Sequence, residues 1–424
     1  MLFIYRTLSL GGIETFFVRM AKERNKLGLH TKILLFSKPH ESDTTLLREM
    51  SKYAEVIFAE QVFLNIPLLT KRTPVIVPIK KKALKDLFEN VDQVHVSLGV
   101  HALLGYRLIK KLNLSIPITV GFYHYNVYLW GGSNVAKNVK IDRNFVFSYL
   151  PRKSLLFFSE GNKNFNQKST SLDFSGSSTF RLGVVDHKDN EIKGSTHSPL
   201  KIVAVGRLEE FKSYNLYMID TVKNLKSKGI EVQFDIYGDG PLKEQMQKNI
   251  NIEGLETQVH LKGKLDYLNF DNTVMEYDLF IGSGTSIIQA ASLGVPSIVG
   301  IENFNLPETY GFFSSVYEHE YNLKGIDLPT VNVIKLIEKY IDLDINERLS
   351  LKTAHKECIE SFTNASCQQY LSNLNIVEMP SSPYKYNRLF YSLSLLFDGV
   401  KIKLFKNHPY NRRHRDFKVG EKAL

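Results

Sequence analysis

The chain of 424 residues is long enough for two or three domains, and its 43% hydrophobic content supplies a core for each of them. Its formal charge of +10 favours an acidic partner. The cysteines, Cys358 and Cys367, have no neighbouring histidine–cysteine cluster, which argues against a disulfide scaffold and a zinc site and predicts a reducing compartment. No apolar run approaches the length of a membrane span, so we do not expect this chain to be an integral membrane protein. The first apolar segment is too short for a signal peptide.

The first part of the chain alternates short apolar segments with helix-like ones, as a parallel α/β domain does. Gly11, Gly12 and Glu14 stand between the first predicted strand and the first helix. Glycines let a ligand approach the backbone closely, and a helix dipole favours a carboxylate in its first turn. An ordinary turn before a helix start fits the same residues. The predicted strands are Leu2–Tyr5, 30–36, 54–59, 93–97 and 117–121.

A concentrated positive face is predicted between these strands. Lysines occupy 80–82 and 85, with Lys71 and Arg72 upstream. Such a run is a solvated surface in most proteins, and it would also suit an anionic membrane.

The loop 121–132 begins at the end of a predicted strand and holds His124 among aromatic residues. Tyr123, Tyr125 and Trp130 could stack on a sugar or belong to the core. Judged from its surroundings alone, His124 fits a packed or surface histidine better than a catalytic one.

A second α/β pattern begins near Leu200, after a polar stretch without apolar periodicity. We place the domain linker at that stretch, 187–198. The predicted strands of the second pattern are 201–205, 231–237, 259–263, 278–282 and 296–300, with a helix over 285–293.

The ends of these strands carry residues that suit an anion. Arg207 and Lys212 follow the first strand, and offer a planar fork and a point charge that fit a diphosphate. The turn from Gly282 to Gly284 stands directly before a helix, whose first amides and dipole make a second anion cradle. Ligands bind at the carboxyl ends of the strands in open α/β sheets.

Taken together, these turns resemble the C-terminal domain of GT-B fold glycosyltransferases, particularly those of the retaining family 4. The segment Gly206-Arg207-Leu208 with Lys212 is similar to G-R-L-x-x-x-K-G, whose arginine and lysine hold the donor's diphosphate; Ser213 takes the last position. The turn 238–241 is similar to G-x-G-P. The segment 281–294 aligns with E-G-F-G-x-x-x-x-E-A-x-x-x-G, so that Gly282, Gly284, Ala290 and Gly294 fall in register.

Both motif glutamates are absent. Ile281 stands where the family's carboxylate touches the donor sugar, and Gln289 stands where the second carboxylate binds the nucleotide ribose. Glutamine still accepts a hydrogen bond from a hydroxyl, whereas isoleucine does not.

The resemblance implies an α/β fold of two Rossmann-like doubly wound domains that face each other across a cleft. The expected divisions are an acceptor-binding domain at 1–186, the linker, a nucleotide-sugar-binding domain at 199–360, a helix at 361–379 that crosses back, and a basic tail at 380–424. In the family, a G-G-x-E loop at the place of 11–14 faces the cleft. A histidine in the loop after the strand that corresponds to 117–121 lies beside the donor sugar in the family. His124 is therefore the preferred catalytic histidine, ahead of His101 and His95.

The resemblance thus defines a set of site residues. The catalytic candidates are His124, Arg207 and Lys212. The candidates for binding the nucleotide sugar are Gly11, Gly12, Gly206, Arg207, Lys212, Gly238, Gly240, Gly282, Ser283, Gly284, Thr285, Ser286 and Gln289.

The tail is strongly basic. Residues 380–424 hold ten lysines and arginines against three acids, and so contribute +7 of the net charge. Leu389, Leu393, Phe397 and Leu404, with Leu396 and Val400, keep one helical face, which is an interfacial amphipathic pattern that Gly399 weakens. A helix docked on the protein's own surface explains the same spacing.

The sequence therefore predicts a glycosyltransferase that moves a sugar from a UDP- or GDP-sugar to a glycan or lipid-linked acceptor of bacterial polysaccharide synthesis. The cations and amides meet the charge of the leaving diphosphate, so no metal and no cofactor are expected. We expect a cytoplasmic protein on the inner face of the plasma membrane, bound through its basic patches, and no nucleic acid partner. The alternatives are a non-catalytic scaffold or binding subunit of a synthesis complex, which the lost glutamates favour, and a nucleotide-sugar epimerase.

Overall fold

The computed structural model describes residues 1–9, 11–66, 69–125, 127–192, 197–319 and 321–413. The chain forms two compact units, one of Met1–Gly183 together with the chain from Asn364 onward, and one of Val184–Thr363. The expected linker, 187–198, stands in the second unit, and its residues 193–196 lie outside the described residues, as do the last eleven residues of the basic tail, 414–424.

The strands are short apolar segments, most of them buried on both faces. In chain order they are β1 (Leu2–Tyr5), β2 (Lys32–Leu35), β3 (Glu55–Phe58), β4 (Val94–Val96), β5 (Ile118–Phe122), β6 (Leu155–Phe157), β7 (Ser178–Thr179), β8 (Leu200–Val205), β9 (Val232–Tyr237), β10 (Val259–Gly263), β11 (Leu279–Gly282), β12 (Ser297–Val299), β13 (Glu308–Thr309) and β14 (Val331–Asn332).

The helices alternate with the strands through most of the chain and follow one another near its end. They are α1 (Gly12–Lys26), α2 (Thr44–Tyr53), α3 (Ala59–Val62), α4 (Leu69–Arg72), α5 (Lys81–Phe88), α6 (Gly99–Lys111), α7 (Lys137–Asn144), α8 (Glu160–Thr170), α9 (Tyr214–Ser227), α10 (Lys243–Ile252), α11 (Phe270–Val274), α12 (Thr285–Ser292), α13 (Phe313–Val316), α14 (Val333–Asp342), α15 (Ile345–Glu357), α16 (Asn364–Ser372), α17 (Arg388–Leu404) and α18 (Pro409–Arg412).

The first unit is built on a parallel sheet in the order β3-β2-β1-β4-β5-β6-β7. Alternate residues of β1 enter two different cores: Leu2 and Ile4 pack on one face of the sheet, and Phe3 packs on the other with Phe17 of α1. Helices thus cover both faces, which is the doubly wound arrangement expected from the sequence.

The second unit repeats this plan with a sheet in the order β10-β9-β8-β11-β12, in which the paired strands are parallel. Strand order reverses between β8 and β11, so these two strands flank the topological switch point, where open α/β sheets bind ligands. The predicted class, α/β with two Rossmann-like domains, is confirmed in each unit.

The predicted strands agree with the structure within two residues at each end. Helix α10 begins at Lys243, and Leu242, directly before it, donates its backbone N–H to the carbonyl of Leu208 over 3.1 Å. The loop after β8 is therefore bonded to the turn before α10.

The tail packs on the first unit. Tyr391 of α17 is fully buried in that unit's core, and Ser394 donates a hydrogen bond of 2.9 Å to Oδ1 of Asn138 in α7. The opposite side of the same helix is exposed. In the part of the chain that the structure describes, no helix is both long and apolar enough to cross a bilayer.

Candidate functional site

The loop after β8 brings together the two predicted cations. The side chain of Arg207 is 72% exposed, and its Nη1 lies 3.7 Å from Oε1 of Glu209. Lys212 folds back over the start of the loop, since a Cβ added to Gly206 would lie 2.9 Å from its Nζ. The guanidinium and the ammonium therefore both belong to the loop at the carboxyl end of β8.

The loop after β9 is packed against this loop. The backbone N–H of Leu208 donates to the carbonyl of Asp239 over 3.0 Å, and Gly238 leaves no room for a Cβ against the carbonyl of Gly206. A Cβ added to Gly240 would also clash, at 2.5 Å from the carbonyl oxygen of Leu208. In the structure, these two glycines thus allow a backbone contact that supports the cationic loop.

The turn after β11, from Gly282 to Gly284, is the one for which an anion cradle is predicted. Gly284 has a φ of +67°, a conformation that favours glycine, and it directly precedes Thr285, the first residue of α12. Its N–H donates to Oδ1 of Asn322 over 3.0 Å, while Ser286 donates its hydroxyl to the carbonyl of Ser283 over 3.2 Å. In this cradle turn, the N–H of Gly284 therefore has Asn322 as its hydrogen-bond acceptor.

The two positions of the missing glutamates differ in their surroundings. Ile281 lies inside β11 and is fully buried in the apolar core of the second unit. A carboxylate there would lose its water without gaining a polar partner, which is costly. Gln289 is partly exposed on α12, so its amide is accessible.

A carboxylate that the sequence analysis missed lies beside the cradle. Glu302 follows β12, and its Oε1 accepts a hydrogen bond of 2.8 Å from the hydroxyl of Ser283, which lies 3.3 Å from the hydroxyl of Tyr214. Burial raises the pKa of Glu302, while Lys212, the Ser283 hydroxyl and Arg207 lower it. Its place at a strand's carboxyl end was the available signal.

The predicted glycine loop of the first unit begins α1. Gly11 precedes the helix and Gly12 is its first residue. Glu14 is buried and accepts hydrogen bonds from the hydroxyl of Ser9 at 2.9 Å and, more weakly, from that of Tyr5 at 3.5 Å. The carboxylate is thus bound within its own turn.

The three candidate histidines are in different environments. His124 follows β5 at the carboxyl edge of the sheet and is partly exposed. His95 is buried, with Nδ1 2.9 Å from the Thr119 hydroxyl and Nε2 2.6 Å from the Tyr123 hydroxyl. Burial lowers the pKa of both His95 and His101 to about 3, so both are neutral near pH 7. His95 and His101 are core residues, and His124 is the accessible one.

The aromatic residues around His124 are packed. Tyr123 contacts Phe16 and Phe17, and Tyr125 is buried with its ring at 5.2 Å from that of Phe158. Trp130 contacts Tyr410 of α18, with ring centroids 5.4 Å apart. Of the two interpretations of these rings, packing is the one that their contacts favour.

Metal ligands are not grouped in the residues that the structure places: within those ranges, no three His, Cys, Asp or Glu side chains are arranged to hold an ion.

The sequence and the fold are similar to those of known glycosyltransferases. Residues 186–311, which contain the loops after β8, β9 and β11, match the family model described as glycosyl transferases group 1. Among solved structures, a variant of Staphylococcus aureus TarM in complex with fondaparinux, α-GlcNAc-glycerol and UDP has a TM-score of 0.59 at 12% identity, covering 88% of this chain and 99% of that one. A glycosyltransferase from Rickettsia africae has a TM-score of 0.60 at 16% identity, covering 88% and 96%.

Two curated relatives extend the similarity. The GPI3 subunit of a phosphatidylinositol N-acetylglucosaminyltransferase of Saccharomyces cerevisiae is 23% identical over 233 residues, which are 52% of this chain and 51% of that protein. Protein CapJ of Staphylococcus aureus is 24% identical over 261 residues, 58% and 62% of the two chains. The chain thus spans little more than half the length of these relatives.

The fold and the loops together define the chain as a GT-B fold protein that resembles the GT-B glycosyltransferases. Within it, residues 186–311 carry the region that characterises glycosyl transferases group 1.

Proposed function

We propose that this protein is a metal-independent glycosyltransferase that transfers a sugar from a nucleotide-sugar donor with retention of configuration. The observation that carries the proposal is the cluster at the switch point of the second sheet. Arg207 and Lys212 follow β8, and the amide end of α12 follows the neighbouring strand β11. Two cations and a helix N-terminus suit one ligand chemistry, a diphosphate.

The residues act on the leaving group. Because the guanidinium of Arg207 is exposed and planar, it can bind two phosphate oxygens at once, whereas Lys212 supplies a point charge beside Gly206. Both interactions strengthen as the diphosphate gains negative charge in the transition state, and this differential lowers the barrier. A phosphate at the cradle would replace Asn322 as acceptor for the Gly284 N–H.

The donor and acceptor are proposed by class. The TarM complex named above contains UDP, which supports a UDP-sugar, with a GDP-sugar as the alternative donor. The name of the GPI3 relative describes transfer to a phosphatidylinositol, which supports a lipid-linked acceptor. We propose a hexosyl transfer to a lipid-linked glycan of bacterial surface polysaccharide, O-antigen or capsule synthesis.

A lipid-linked acceptor requires access to a membrane, and α17 suits an anionic one. Its exposed side carries a row of apolar side chains, here called the α17 ridge: Leu389, Phe390, Leu393, Phe397, Val400 and Leu404. The cations Arg388, Lys401 and Lys403 are exposed on the same helix. Apolar side chains bordered by lysines are typical of helices that lie in a membrane surface. We propose a peripheral position on the cytoplasmic face of the plasma membrane.

A ligand panel followed by product analysis tests the function. Thermal shifts should be measured with UDP, GDP, the nucleosides and a set of nucleotide sugars, since a ligand of the native state raises its apparent stability. Arg207→Ala and Lys212→Ala should each weaken nucleoside diphosphate binding by roughly ten- to hundredfold and leave nucleoside binding unchanged. Lys248→Ala, on the exposed side of α10, is the matched control.

The products separate the proposed function from its alternatives. A glycosylated acceptor supports the transferase, and activity should persist in EDTA. A changed sugar that stays on its nucleotide would identify an epimerase. Absence of any nucleotide or nucleotide-sugar binding would favour the scaffold, and equal losses for nucleosides and diphosphates in the two variants would contradict the diphosphate assignment.

A further inference from the structure

Residues 302–304, which follow β12, are tied to the cationic loop after β8. Asn303 donates its backbone N–H to the carbonyl of Phe211 over 2.7 Å. The hydroxyl of Ser213 donates to the carbonyl of Phe304 over 2.7 Å and lies 3.1 Å from that residue's N–H. Ser213, which replaces the usual last glycine of the motif, therefore joins the two loops.

The carboxylate of Glu302 is bonded to the cradle turn, and the loop that carries it is tied to the cationic loop. One oxygen accepts the hydroxyl hydrogen of Ser283 at 2.8 Å, and Ser283 directly precedes the cradle glycine. The backbone N–H of Glu302 donates to the carbonyl of Asn322 over 2.9 Å, and the side chain of Asn322 accepts the N–H of Gly284. Arg207 and Lys212 interact electrostatically with the same carboxylate.

Other acids near the loops are engaged differently. Glu209 pairs with Arg207 at 3.7 Å, and Asp239 pairs with Lys264 at 3.6 Å. A partly buried carboxylate that interacts with both cations and accepts from a cradle hydroxyl is suited to accept further hydroxyl donors, because each ionised oxygen has more than one acceptor site.

We propose that Glu302 accepts a hydrogen bond from a hydroxyl of the donor's sugar and thereby selects donors that present that hydroxyl. The inference rests on the proposed function. In the absence of donor, the same carboxylate balances the charges of Lys212 and Arg207. A diphosphate that binds to these cations is repelled by the carboxylate of Glu302. A free nucleoside diphosphate therefore binds less tightly than it would to the two cations without Glu302.

Glu302→Gln separates this role from a structural one. The substitution keeps the shape and removes the charge, so we expect free UDP or GDP to bind about three- to tenfold more tightly, because a like charge has been removed. Turnover of the donor found in the ligand panel should fall at least about tenfold, because a charge-assisted bond to the sugar becomes neutral. A merely structural carboxylate would weaken both measurements together.

Glu209→Gln is the matched control, since it also removes an acid beside Arg207 but none at the cradle. If Glu302→Gln does not fold, Glu302→Asp provides the test: it keeps the negative charge but shortens the side chain by one methylene, so free diphosphate affinity should stay within about twofold while turnover of the donor falls at least about tenfold. The inference is overturned if the Glu302 variant keeps full turnover and its diphosphate affinity is unchanged or weaker, or if the Glu209 variant has equal effects. In either case, diphosphate binding by the parent still upholds the proposed function. A parent that binds no nucleotide overturns both.

Discussion

Tyr391 donates a hydrogen bond of 2.8 Å to Oδ1 of Asp142, and this bond joins the tail helix α17 to α7. Tyr391 is fully buried, and Tyr384 of the same tail donates to the carbonyl of Ile141 over 3.2 Å. The tail is thus part of the first unit's core on one side, while the α17 ridge remains exposed on the other. The docked interpretation of this helix is confirmed for its buried face, and the interfacial interpretation stays a prediction for its exposed face.

The carboxyl of Asp142 predicts a pH dependence of stability. Burial raises its pKa to about 7, and the titratable groups that face it are tyrosines, which are neutral in this range. Because the pKa is higher in the folded than in the unfolded chain, this group stabilises the fold fully below about pH 4, and that contribution declines as the pH rises to about 7. In the parent, the free energy of unfolding should fall by up to about 4 kcal/mol between pH 4 and pH 7, and Asp142→Asn should abolish this fall.

Denaturant unfolding at a series of pH values measures this effect. Glu256→Gln, which removes an exposed carboxylate, is the control and should keep the parent's pH profile. An unchanged slope between pH 4 and 7 in the Asp142 variant would show that the carboxyl titrates normally in the folded protein.

The α17 ridge predicts vesicle binding that point substitutions can test. Deletion of the tail is a poor test, because it would also remove Tyr391 and Tyr384 from the core. Phe397 is 68% exposed, so Phe397→Ser should leave the fold intact and weaken binding to phosphatidylglycerol vesicles roughly tenfold or more. Leu268→Ser, at a position 73% exposed in the second unit, is the control. Equal binding of both variants and parent in a flotation assay would argue against the membrane proposal.

We expect substitution of His124 to lower turnover without weakening nucleotide binding. It is the accessible histidine of the three candidates, whereas His95 and His101 are buried and neutral. His124→Ala should lower turnover at least about tenfold and leave the affinity for UDP or GDP within about twofold, because the diphosphate residues lie in the other unit. The exposed His40 provides the control substitution. Steady-state kinetics with full activity in His124→Ala would remove this residue from the proposed mechanism.

The sequence predicts the architecture well because parallel strands are continuous apolar runs and their ends carry glycine or charge. It also places Arg207, Lys212 and the turn at Gly284 on neighbouring strand ends, since β8 and β11 flank the strand reversal. It does not predict the position of Glu302, because the loop that carries this residue is fixed by a hydrogen bond between Ser213 and Phe304, which are 91 residues apart along the chain. The same limit applies to Tyr391, whose partner in α7 lies 249 residues away.

A substitution at Gln289 best distinguishes the enzyme hypothesis from the scaffold hypothesis. It is partly exposed on α12, so a ribose hydroxyl could reach its side chain, whereas Ile281 is enclosed in the core and contributes no ligand contact. An amide oxygen makes a neutral hydrogen bond to a hydroxyl, and a carboxylate makes a charge-assisted one that is stronger by about 1–2 kcal/mol. Gln289→Glu should therefore bind nucleoside diphosphates and nucleotide sugars about five- to thirtyfold more tightly than the parent.

Titration calorimetry or thermal shift measures this gain, with Gln245→Glu on the exposed side of α10 as the control for an added negative charge. The gain should appear for the free nucleoside as well, because the contact is to ribose and not to phosphate, which distinguishes it from the effects of Arg207→Ala and Lys212→Ala. A gain limited to diphosphates would place Gln289 elsewhere in the site. If neither the parent nor Gln289→Glu binds any nucleotide sugar at millimolar concentration, the catalytic proposal is wrong, and the scaffold alternative takes its place.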